Sequence, residues 1–543
     1  MLKTVLLIIA CLSLYIVRRV IQADILYFIL LIVMTFTINS VFGIIANRYR
    51  NKIPKLKRSH LRKIPFVLIV CWVALFILMS IGKHHSFRTY MSDLGSMDQA
   101  IWNTSQGRVL ESTTMHYPYL NLPRLSVHVE PIYFLFAGIY RILPDPRVLL
   151  IIKVLLLGIS IFAIYKIAEK ILNSKIYAFK VAVIYSFFPS LQFITLFDFY
   201  GDTLAIPFLL FSYLFYIKGK IRWYWLFLII ALLCKEYVAL AVLGFGITLI
   251  VMHKDVKNGI ITSMVGLFYF LAVNFYMIPM FNFGHESELV SAYLGHVGGE
   301  DGLKGIITFV LTNPISFVAS MLSRNNLQNL FYLLFPLLIT PFRAVGFLFG
   351  FFPILLKDLL AGLDIYTHRI ATGLPFLFIA FIHGLKNKPR FFLLKNATST
   401  DSLLRLSLIA SVLASVMYGP SPLGHRFWRE TDKYFPGEHA KACSHIVKNV
   451  PDDVIISVSQ NLAPHLTHRQ FCYAFPHPYT KENRNFERVE YIALDTTDKM
   501  SSMQEYDSFS AEVIPEIKGL GFQLLKETGG VYLFKKRTDE AEK

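Results

Sequence analysis

The sequence is poor in charged residues, and this scarcity excludes an ordinary soluble protein. Charged side chains make up 17% of its 543 residues, whereas soluble globular domains average roughly 25%. Hydrophobic residues make up 55%, and the mean hydropathy is +0.50. This composition is typical of a chain with many membrane-spanning helices.

Signatures of cross-linking and of common catalytic sites are also missing. The chain has five cysteines, an odd number that argues against a disulfide scaffold. It contains no glycine-rich nucleotide-binding motif, no H-E-x-x-H sequence and no paired C-x-x-C sequence. Cys443 and Cys472 could pair in an oxidising compartment, or both could be buried thiols.

The charge that is present is distributed unevenly. Residues 1–418 contain 38 Lys or Arg and 18 Asp or Glu, whereas residues 419–543 contain 16 and 18. A basic excess confined to loops between apolar segments indicates membrane topology, because cytoplasmic loops are enriched in Lys and Arg. It does not indicate binding to a phosphate backbone. We therefore expect membrane lipids, and no nucleic acid, as partners.

Apolar segments and basic loops together predict the topology. About thirteen apolar segments lie between residues 4 and 418, which predicts about 11 to 13 transmembrane helices in the cell inner or plasma membrane. The stretch from Arg48 to Lys63 carries eight basic and no acidic residues, so we place it in the cytoplasm. Three regions follow: residues 1–63 with N-terminal membrane segments and this basic loop, a transmembrane core at 64–418 with outer loops 83–147 and 282–327, and a soluble extracytoplasmic α/β domain at 419–543.

Acidic and histidine side chains gather on the side opposite the basic loops. The clearest case is Lys235-Glu236, which follows an apolar segment of only 12 residues, 223–234. A helix of that length spans about 18 Å, less than the roughly 30 Å of a hydrocarbon core. The pair is therefore expected below the outer surface, where ionisable residues are tolerated only when they are paired or line a wet cavity.

The most informative stretch is Ser92–Gly107, which follows an outward-going helix. Ser96 and Gln99 fit a capping box, and Asp98 would lie in the first helical turn, where the helix dipole favours an acid. Local structure can thus explain Asp98, but it offers no comparable role for Asp93. If burial raises its pKa, Asp93 could act as a general base on an acceptor hydroxyl.

Further polar residues interrupt apolar segments on the same side, although each has a structural alternative such as a helix start, a tight turn or a snorkelling side chain. We expect two catalytic candidates, Asp93 and Asp98, and eight substrate-binding candidates: His128, Glu130, Asp198, Asp202, Lys235, Glu236, His368 and Arg369. No cofactor is indicated with certainty. The four aspartates could bind a divalent cation through oxygen ligands if the fold brings them together.

Several of these motifs carry a resemblance to a known family. They are Asp93-Leu-Gly-x-x-Asp98-Gln-x-x-Trp102-Asn with Gly107, then His128-x-x-Pro131, Phe197-Asp198-Phe and Lys235-Glu236. In the C-terminal region, Val458-Ser-x-Asn461-Leu-Ala-Pro464 and Tyr491-Ile-x-Leu-Asp495 belong to the same pattern. Over about residues 64–535 the chain resembles an uncharacterised prokaryotic family of predicted membrane proteins (a domain of unknown function) in the GT-C glycosyltransferase clan.

The resemblance implies a mainly α fold of GT-C type, a polytopic helical bundle whose first large outer loop carries a catalytic acid. It also implies a polyprenyl-phosphate-linked sugar as donor, with an unknown acceptor. Better-studied members of the clan have an Asp-Glu pair about fifteen residues before a glycine. Asp93 lies fourteen residues before Gly107 and matches the Asp, whereas Leu94 replaces the Glu.

These features predict an inverting glycosyltransferase of the cell envelope with its site on the extracytoplasmic side. Asp93 would deprotonate the acceptor, and Lys235 and Arg369 would neutralise the leaving lipid phosphate. Sugar hydroxyls would be oriented by His128, Asp198 or Asp202. Two alternatives are a transporter or flippase for a lipid-linked saccharide and a GT-C scaffold that assembles the cell envelope without catalysis.

Overall fold

The computed structural model of the chain describes residues 24–49, 60–113, 123–285, 288–387, 399–476, 488–497 and 512–537. The expected first apolar segment, at residue 4, and most of the basic loop 48–63 lie outside the described residues. The described part is mainly helical, as expected. Its α-helices up to residue 417 are Asp24–Tyr49, His60–His85, Ser96–Ser105, Tyr133–Tyr140, Pro146–Leu172, Lys175–Ser186, Pro189–Leu196, Gly201–Ile217, Ile221–Leu232, Val238–His253, Val256–Ala272, Ile278–Phe281, Glu288–Leu294, Gly302–Thr312, Pro314–Met321, Arg324–Leu334, Phe352–Leu360, Leu374–Lys386 and Thr400–Met417.

The helices make the chain a multi-pass membrane protein. Within the described residues, five helical segments are long and apolar enough to cross a membrane, and three bent helix pairs raise the number to eight if each pair forms one span. Four further apolar helices have 10–17 residues. The expected 11 to 13 crossings, and the side on which each loop lies, remain predictions.

Four breaks between helices position the candidate site. They are the loop after His60–His85, the extended residues 197–200 before Gly201–Ile217, the turn between Ile221–Leu232 and Val238–His253, and the loop between Phe352–Leu360 and Leu374–Lys386. The second and third breaks touch closely. A Cβ atom on Gly201 would lie 2.1 Å from the carbonyl oxygen of Cys234, so only glycine fits there.

Residues 419–543, called the tail below, contain a mixed five-stranded sheet. Its strands are Ile456–Val458 (β1), Cys472–Ala474 (β2), Tyr491–Asp495 (β3), Phe522–Thr528 (β4) and Val531–Lys536 (β5). They lie in the order β2-β1-β3-β5-β4. β1 pairs in parallel with β2 and β3, and β5 pairs antiparallel with β3 and β4. The described α-helices of the tail are His425–Arg429, Glu438–Val447 and Ile514–Gly519. Cys443 and Cys472 are both free and buried, so the alternative of two buried thiols is confirmed.

The tail packs on the loop that carries Asp93. The backbone amide of Met91 donates to the carbonyl of Gln460 at 2.8 Å, and the Gln99 side chain donates to the carbonyl of Arg469 at 3.2 Å. The expected capping box is wrong. The helix begins after Gly95 without a side-chain cap. The hydroxyl of Ser96 instead accepts a hydrogen bond from Arg124 at 3.0 Å, and the side chain of Gln99 donates to the tail.

Candidate functional site

Asp93 lies on a short π-helical turn, Met91–Gly95, beyond the end of helix His60–His85. Its Oδ1 accepts a hydrogen bond of 2.5 Å from the hydroxyl of Tyr200. Burial, together with repulsion from the Asp198 carboxylate, raises the pKa of Asp93 to about 6. A carboxylate with this pKa is mostly ionised at neutral pH and is basic enough to accept a proton. Asp93 therefore has the protonation behaviour of a general base.

Tyr200 brings three of the candidate residues together. Its ring stacks on the imidazole of His368, with ring centroids 3.7 Å apart. The ammonium nitrogen of Lys235 lies 5.1 Å from the centroid of the same ring, within cation–π range. With Asp93 on the hydroxyl, an acid, a cation and a histidine surround one tyrosine. We call Asp93, Tyr200, Asp202, Lys235 and His368 the Tyr200 cluster.

Asp202 joins this cluster through His368. It lies in the first turn of helix Gly201–Ile217 and is fully buried. Its Oδ2 is 2.6 Å from Nδ1 of His368 and also accepts a hydrogen bond from the hydroxyl of Tyr237. Its Oδ1 has no hydrogen-bond partner among the described residues. A buried carboxylate oxygen without a partner is costly in a purely structural role, which makes this atom a candidate for binding a substrate hydroxyl.

Two buried acids hold the neighbouring basic groups in place. Glu130 lies 2.5 Å from Nε of Arg124 and 3.5 Å from Nζ of Lys235. Glu236 lies 2.8 Å from Nδ1 of His128 and accepts from a backbone amide at 3.2 Å. Glu130, Arg124 and Lys235 are only 1–2% exposed, so each charge depends on its partner. Lys235 and Glu236 are therefore buried and paired, and each finds its partner on another element.

Asp198 fixes the extended segment that carries Tyr200. Its Oδ1 lies 2.6 Å from Nζ of Lys83, and its Oδ2 accepts from the backbone amide of Tyr90 at 2.9 Å. Lys153, inside the apolar helix Pro146–Leu172, donates to the backbone carbonyls of Phe197 and Asp198. Two lysines thus bind this segment.

Asp98 makes its contacts away from the Tyr200 cluster. Its carboxylate accepts from the hydroxyls of Tyr140 and Thr467, both at 2.5 Å, and lies 3.1 Å from Nε2 of His468. Burial lowers the pKa of His468, but the nearby Asp98 carboxylate raises it by more, so the net shift is upward. A cavity of about 400 Å³ is lined by Thr467 and His468, and Asp93 does not line it. Asp98 therefore connects helix Ser96–Ser105 to the tail.

Arg369 also points away from the cluster, although it follows His368 directly. Its guanidinium lies 4.5 Å from the ring centroid of Tyr293. It donates to the carbonyls of Ala361 at 3.3 Å and Gly362 at 3.5 Å. These contacts tie Arg369 to its own loop and to a neighbouring helix.

The four aspartates do not form a common ligand set for a divalent cation. Asp93, Asp98, Asp198 and Asp202 each carry a different hydrogen-bond or ion-pair partner. Among the described residues, the group of His, Cys and acidic side chains whose ligand atoms lie within 4.8 Å of one another is in the tail. The arrangement of the four aspartates gives no support to a cation there.

Five residues of the network were not among the candidates expected from the sequence: Tyr200, Tyr237, Lys83, Lys153 and Arg124. Some of them could have been noticed from their sequence context. Lys153 is a cation inside a 27-residue apolar helix, a position that is usually functional or paired. Tyr200 lies within the Phe197–Asp202 motif, and Tyr237 follows Lys235-Glu236. Both tyrosines resemble ordinary core aromatics in sequence, because only the fold shows that their hydroxyls meet carboxylates.

Residues 83–514 match the family described as "Predicted membrane protein (DUF2079)", as the motifs led us to expect. No curated protein matches the chain in sequence. The fold is similar to a crystal structure of ArnT from Cupriavidus metallidurans bound to undecaprenyl phosphate, with 11% identity, a TM-score of 0.48 and coverage of 88% of this chain and 99% of that one. The apo structure of the same ArnT gives 12% identity, a TM-score of 0.46 and coverage of 86% and 97%.

Proposed function

This chain belongs to the DUF2079 family of predicted membrane proteins, and we propose that it is an inverting glycosyltransferase of GT-C type. It would move a sugar from a polyprenyl-phosphate donor to an acceptor on the extracytoplasmic side of the membrane. One observation carries the proposal: Asp93 and Lys235 meet at the same tyrosine, with 2.5 Å from the carboxylate to its hydroxyl and 5.1 Å from the ammonium to its ring. A base and a cation placed so close together suit a displacement at a carbon that bears a phosphate.

In the proposed reaction, Asp93 takes the proton of an acceptor hydroxyl. The acceptor oxygen attacks the anomeric carbon and forms the new glycosidic bond. The bond between that carbon and the phosphate oxygen breaks, and the polyprenyl phosphate leaves with the electron pair. Lys235 neutralises the charge that develops on the phosphate. Attack opposite the leaving group inverts the configuration at the anomeric carbon.

The remaining polar groups would position the substrates. The free Oδ1 of Asp202 is the best-placed acceptor for a sugar hydroxyl, since it is buried and has no partner among the described residues. His128 and Asp198 have close partners, Glu236 at 2.8 Å and Lys83 at 2.6 Å, so we assign them to holding the site together. Lys235 differs because it lies 3.5 Å from Glu130, which binds Arg124 more closely, so we assign its ammonium group to the phosphate. Arg369 is turned toward Tyr293, and a role on the lipid phosphate would require it to leave that ring.

The depth of the cluster suits a lipid-linked donor. Lys235 follows helix Ile221–Leu232, whose 12 residues span about 18 Å. A side chain at the end of so short a helix lies below the surface of a bilayer whose hydrocarbon core is roughly 30 Å thick. A polyprenyl phosphate places its headgroup near this level and its chain among the lipids.

The test uses purified full-length protein in proteoliposomes with radiolabelled polyprenyl-phosphate sugars and a cell-envelope extract as acceptor. We expect label to pass from the lipid to the acceptor, and we expect Asp93→Asn to abolish this transfer. Asp432→Asn is the matched control, because Asp432 is a surface carboxylate with 64% of its side chain exposed.

The same experiment separates the competing functions. Movement of the labelled lipid across the bilayer without transfer would identify a flippase. Binding without either outcome would identify a scaffold. Unchanged transfer by Asp93→Asn would contradict the assignment of the base.

A further inference from the structure

His439, Cys443 and Asp495 form a compact cluster in the tail, far in sequence from the Tyr200 cluster. His439 and Cys443 lie four residues apart on helix Glu438–Val447, so both side chains face the same side of the helix. Asp495 ends strand β3 at its carboxyl end. The helix therefore presents a nitrogen and a sulfur to a carboxylate at the carboxyl ends of the parallel strands. Sites for ligands in sheets with parallel strands are commonly found at these ends.

The three candidate ligand atoms are spaced as a tetrahedral metal ion would space them. Cys443 Sγ lies 3.5 Å from His439 Nε2 and 3.6 Å from Asp495 Oδ2. Ligands around tetrahedral zinc stand about 3.6 Å apart for a sulfur and a lighter atom, and about 3.3 Å apart for nitrogen and oxygen. His439 Nε2 and Asp495 Oδ2 lie closer, at 2.8 Å, because without a metal they form a hydrogen bond. A movement of about half an ångström would bring this pair to the spacing of zinc ligands.

The geometry excludes the other common use of these three residue types. In a nucleophilic triad the acid holds one ring nitrogen of the histidine while the thiol uses the other. Here the thiol and the carboxylate approach the same nitrogen, Nε2. Convergence of all donors on one point is what a metal ion requires.

The neighbours of the cluster fix the direction of the carboxylate. Asp495 Oδ1 accepts from the backbone amide and the hydroxyl of Thr497, both at 2.8 Å. Its Oδ2 accepts from the side-chain amide of Asn461 at 2.6 Å and faces His439. The imidazole is in turn hydrogen-bonded to the backbone of Gly529. Hydrogen bonds of this kind orient metal ligands and are usual around metal sites.

We propose that His439, Cys443 and Asp495 bind one divalent transition-metal ion, with zinc as the preferred metal. The mixed donor set of sulfur, nitrogen and oxygen suits zinc and does not suit magnesium or calcium. The Thr497 hydroxyl also lies 2.9 Å from His439 Nε2 and would turn away when a metal binds. The fourth position is then left to water, since His439 is 38% exposed while Cys443 and Asp495 are fully buried. The Cys443 thiol loses its proton to the solvent when the metal binds. The ion joins helix Glu438–Val447 to β3, and this site is independent of sugar transfer.

The test measures zinc in the purified full-length protein. The protein is stripped with a chelator, reloaded with zinc chloride, passed over a desalting column and analysed by mass spectrometry of the metal. We expect one zinc per chain in the wild type and in the control His445→Gln, because His445 is an exposed residue of the same helix. We expect Cys443→Ala and Asp495→Asn to lose the zinc, and Asp93→Asn to keep it.

Cobalt supplies a second readout that needs no variant to fold. Wild-type protein loaded with cobalt should show a thiolate-to-cobalt charge-transfer band and the visible bands of a tetrahedral ion. A wild type that retains no zinc and gives no thiolate band would overturn the proposal. Zinc retained in full by both Cys443→Ala and Asp495→Asn would also overturn it.

Discussion

Removal of a single hydroxyl, in Tyr200→Phe, tests whether Asp93 is the general base. The phenyl ring keeps the stacking on His368 and the contact with Lys235. The variant removes the 2.5 Å hydrogen bond to Asp93 and a long contact of 3.5 Å to the backbone carbonyl of Ser92, which carries no charge. That bond stabilises the ionised carboxylate and lowers its pKa against the effects of burial and Asp198. Its loss must therefore raise the pKa of Asp93 above the present value of about 6.

The size of the effect follows from the strength of the bond. A hydrogen bond to a charged group contributes about 1.5–3 kcal/mol, and one pKa unit corresponds to about 1.4 kcal/mol, so the pKa should rise by about 1 to 2 units. At pH 7 the ionised fraction of Asp93 would fall from about nine-tenths to between one-half and one-tenth. Transfer at pH 7 should thus fall about two- to tenfold in the variant and recover at pH 9.

The assay is the pH profile of kcat/KM for sugar transfer by the wild type and the variant. Tyr133→Phe is the matched control, because its hydroxyl binds the Glu130 carboxylate at 3.0 Å and not Asp93. The acidic limb should move to higher pH in Tyr200→Phe and stay in place in Tyr133→Phe. An acidic limb that does not move in Tyr200→Phe would refute the role of Asp93 as the titrating base.

Three further substitutions test other parts of the site. Lys235→Met should lower kcat/KM by about 10²-fold or more, the scale of losing one group aimed at developing charge. The control Lys441→Met, whose side chain is 70% exposed, should not change it. A loss below twofold in Lys235→Met would contradict this role. Gly201→Ala should lower the free energy of unfolding by about 1–3 kcal/mol, because the new Cβ would lie 2.1 Å from the carbonyl oxygen of Cys234. Denaturation in detergent measures this change. An unchanged midpoint would show that the segments around Gly201 and Cys234 can move apart without cost. Asp98→Asn should weaken the attachment of the tail to the rest of the protein by about 1–3 kcal/mol. Limited proteolysis of the tail should therefore become faster, while sugar transfer persists. Loss of transfer without faster proteolysis of the tail would instead make Asp98 catalytic.

The sequence predicted the polar ends of the helices well because each lies where a hydrophobic run stops. Asp202, Lys235 and His368 lie at such ends, and the segments between helices that carry them lie next to one another in the structure. The terminal hairpin also has a local sequence signal, since the glycine pair Gly529-Gly530 separates its two antiparallel strands.

The local sequence favoured Asp93 over Asp98 as the acid without a structural role, but it could not show which groups each carboxylate contacts. Their difference arises from the tail, more than 360 residues away in sequence. Thr467 of the tail donates a hydrogen bond to Asp98, whereas Asp93 accepts one from Tyr200. The failed capping box has the same origin, since Arg124 takes the hydroxyl of Ser96. Contacts between distant segments override local preferences at these positions, and no local pattern contains them.

In the proposed reaction, Asp93 performs the chemistry while Lys235 and its neighbours bind the lipid-linked sugar. Comparing binding and single-turnover transfer of a radiolabelled polyprenyl-phosphate sugar by the wild type and Asp93→Asn tests this division of roles. We expect Asp93→Asn to bind the donor as the wild type does but to transfer no sugar, since asparagine cannot accept the proton. Transfer by Asp93→Asn at the rate of the wild type would contradict the role of Asp93.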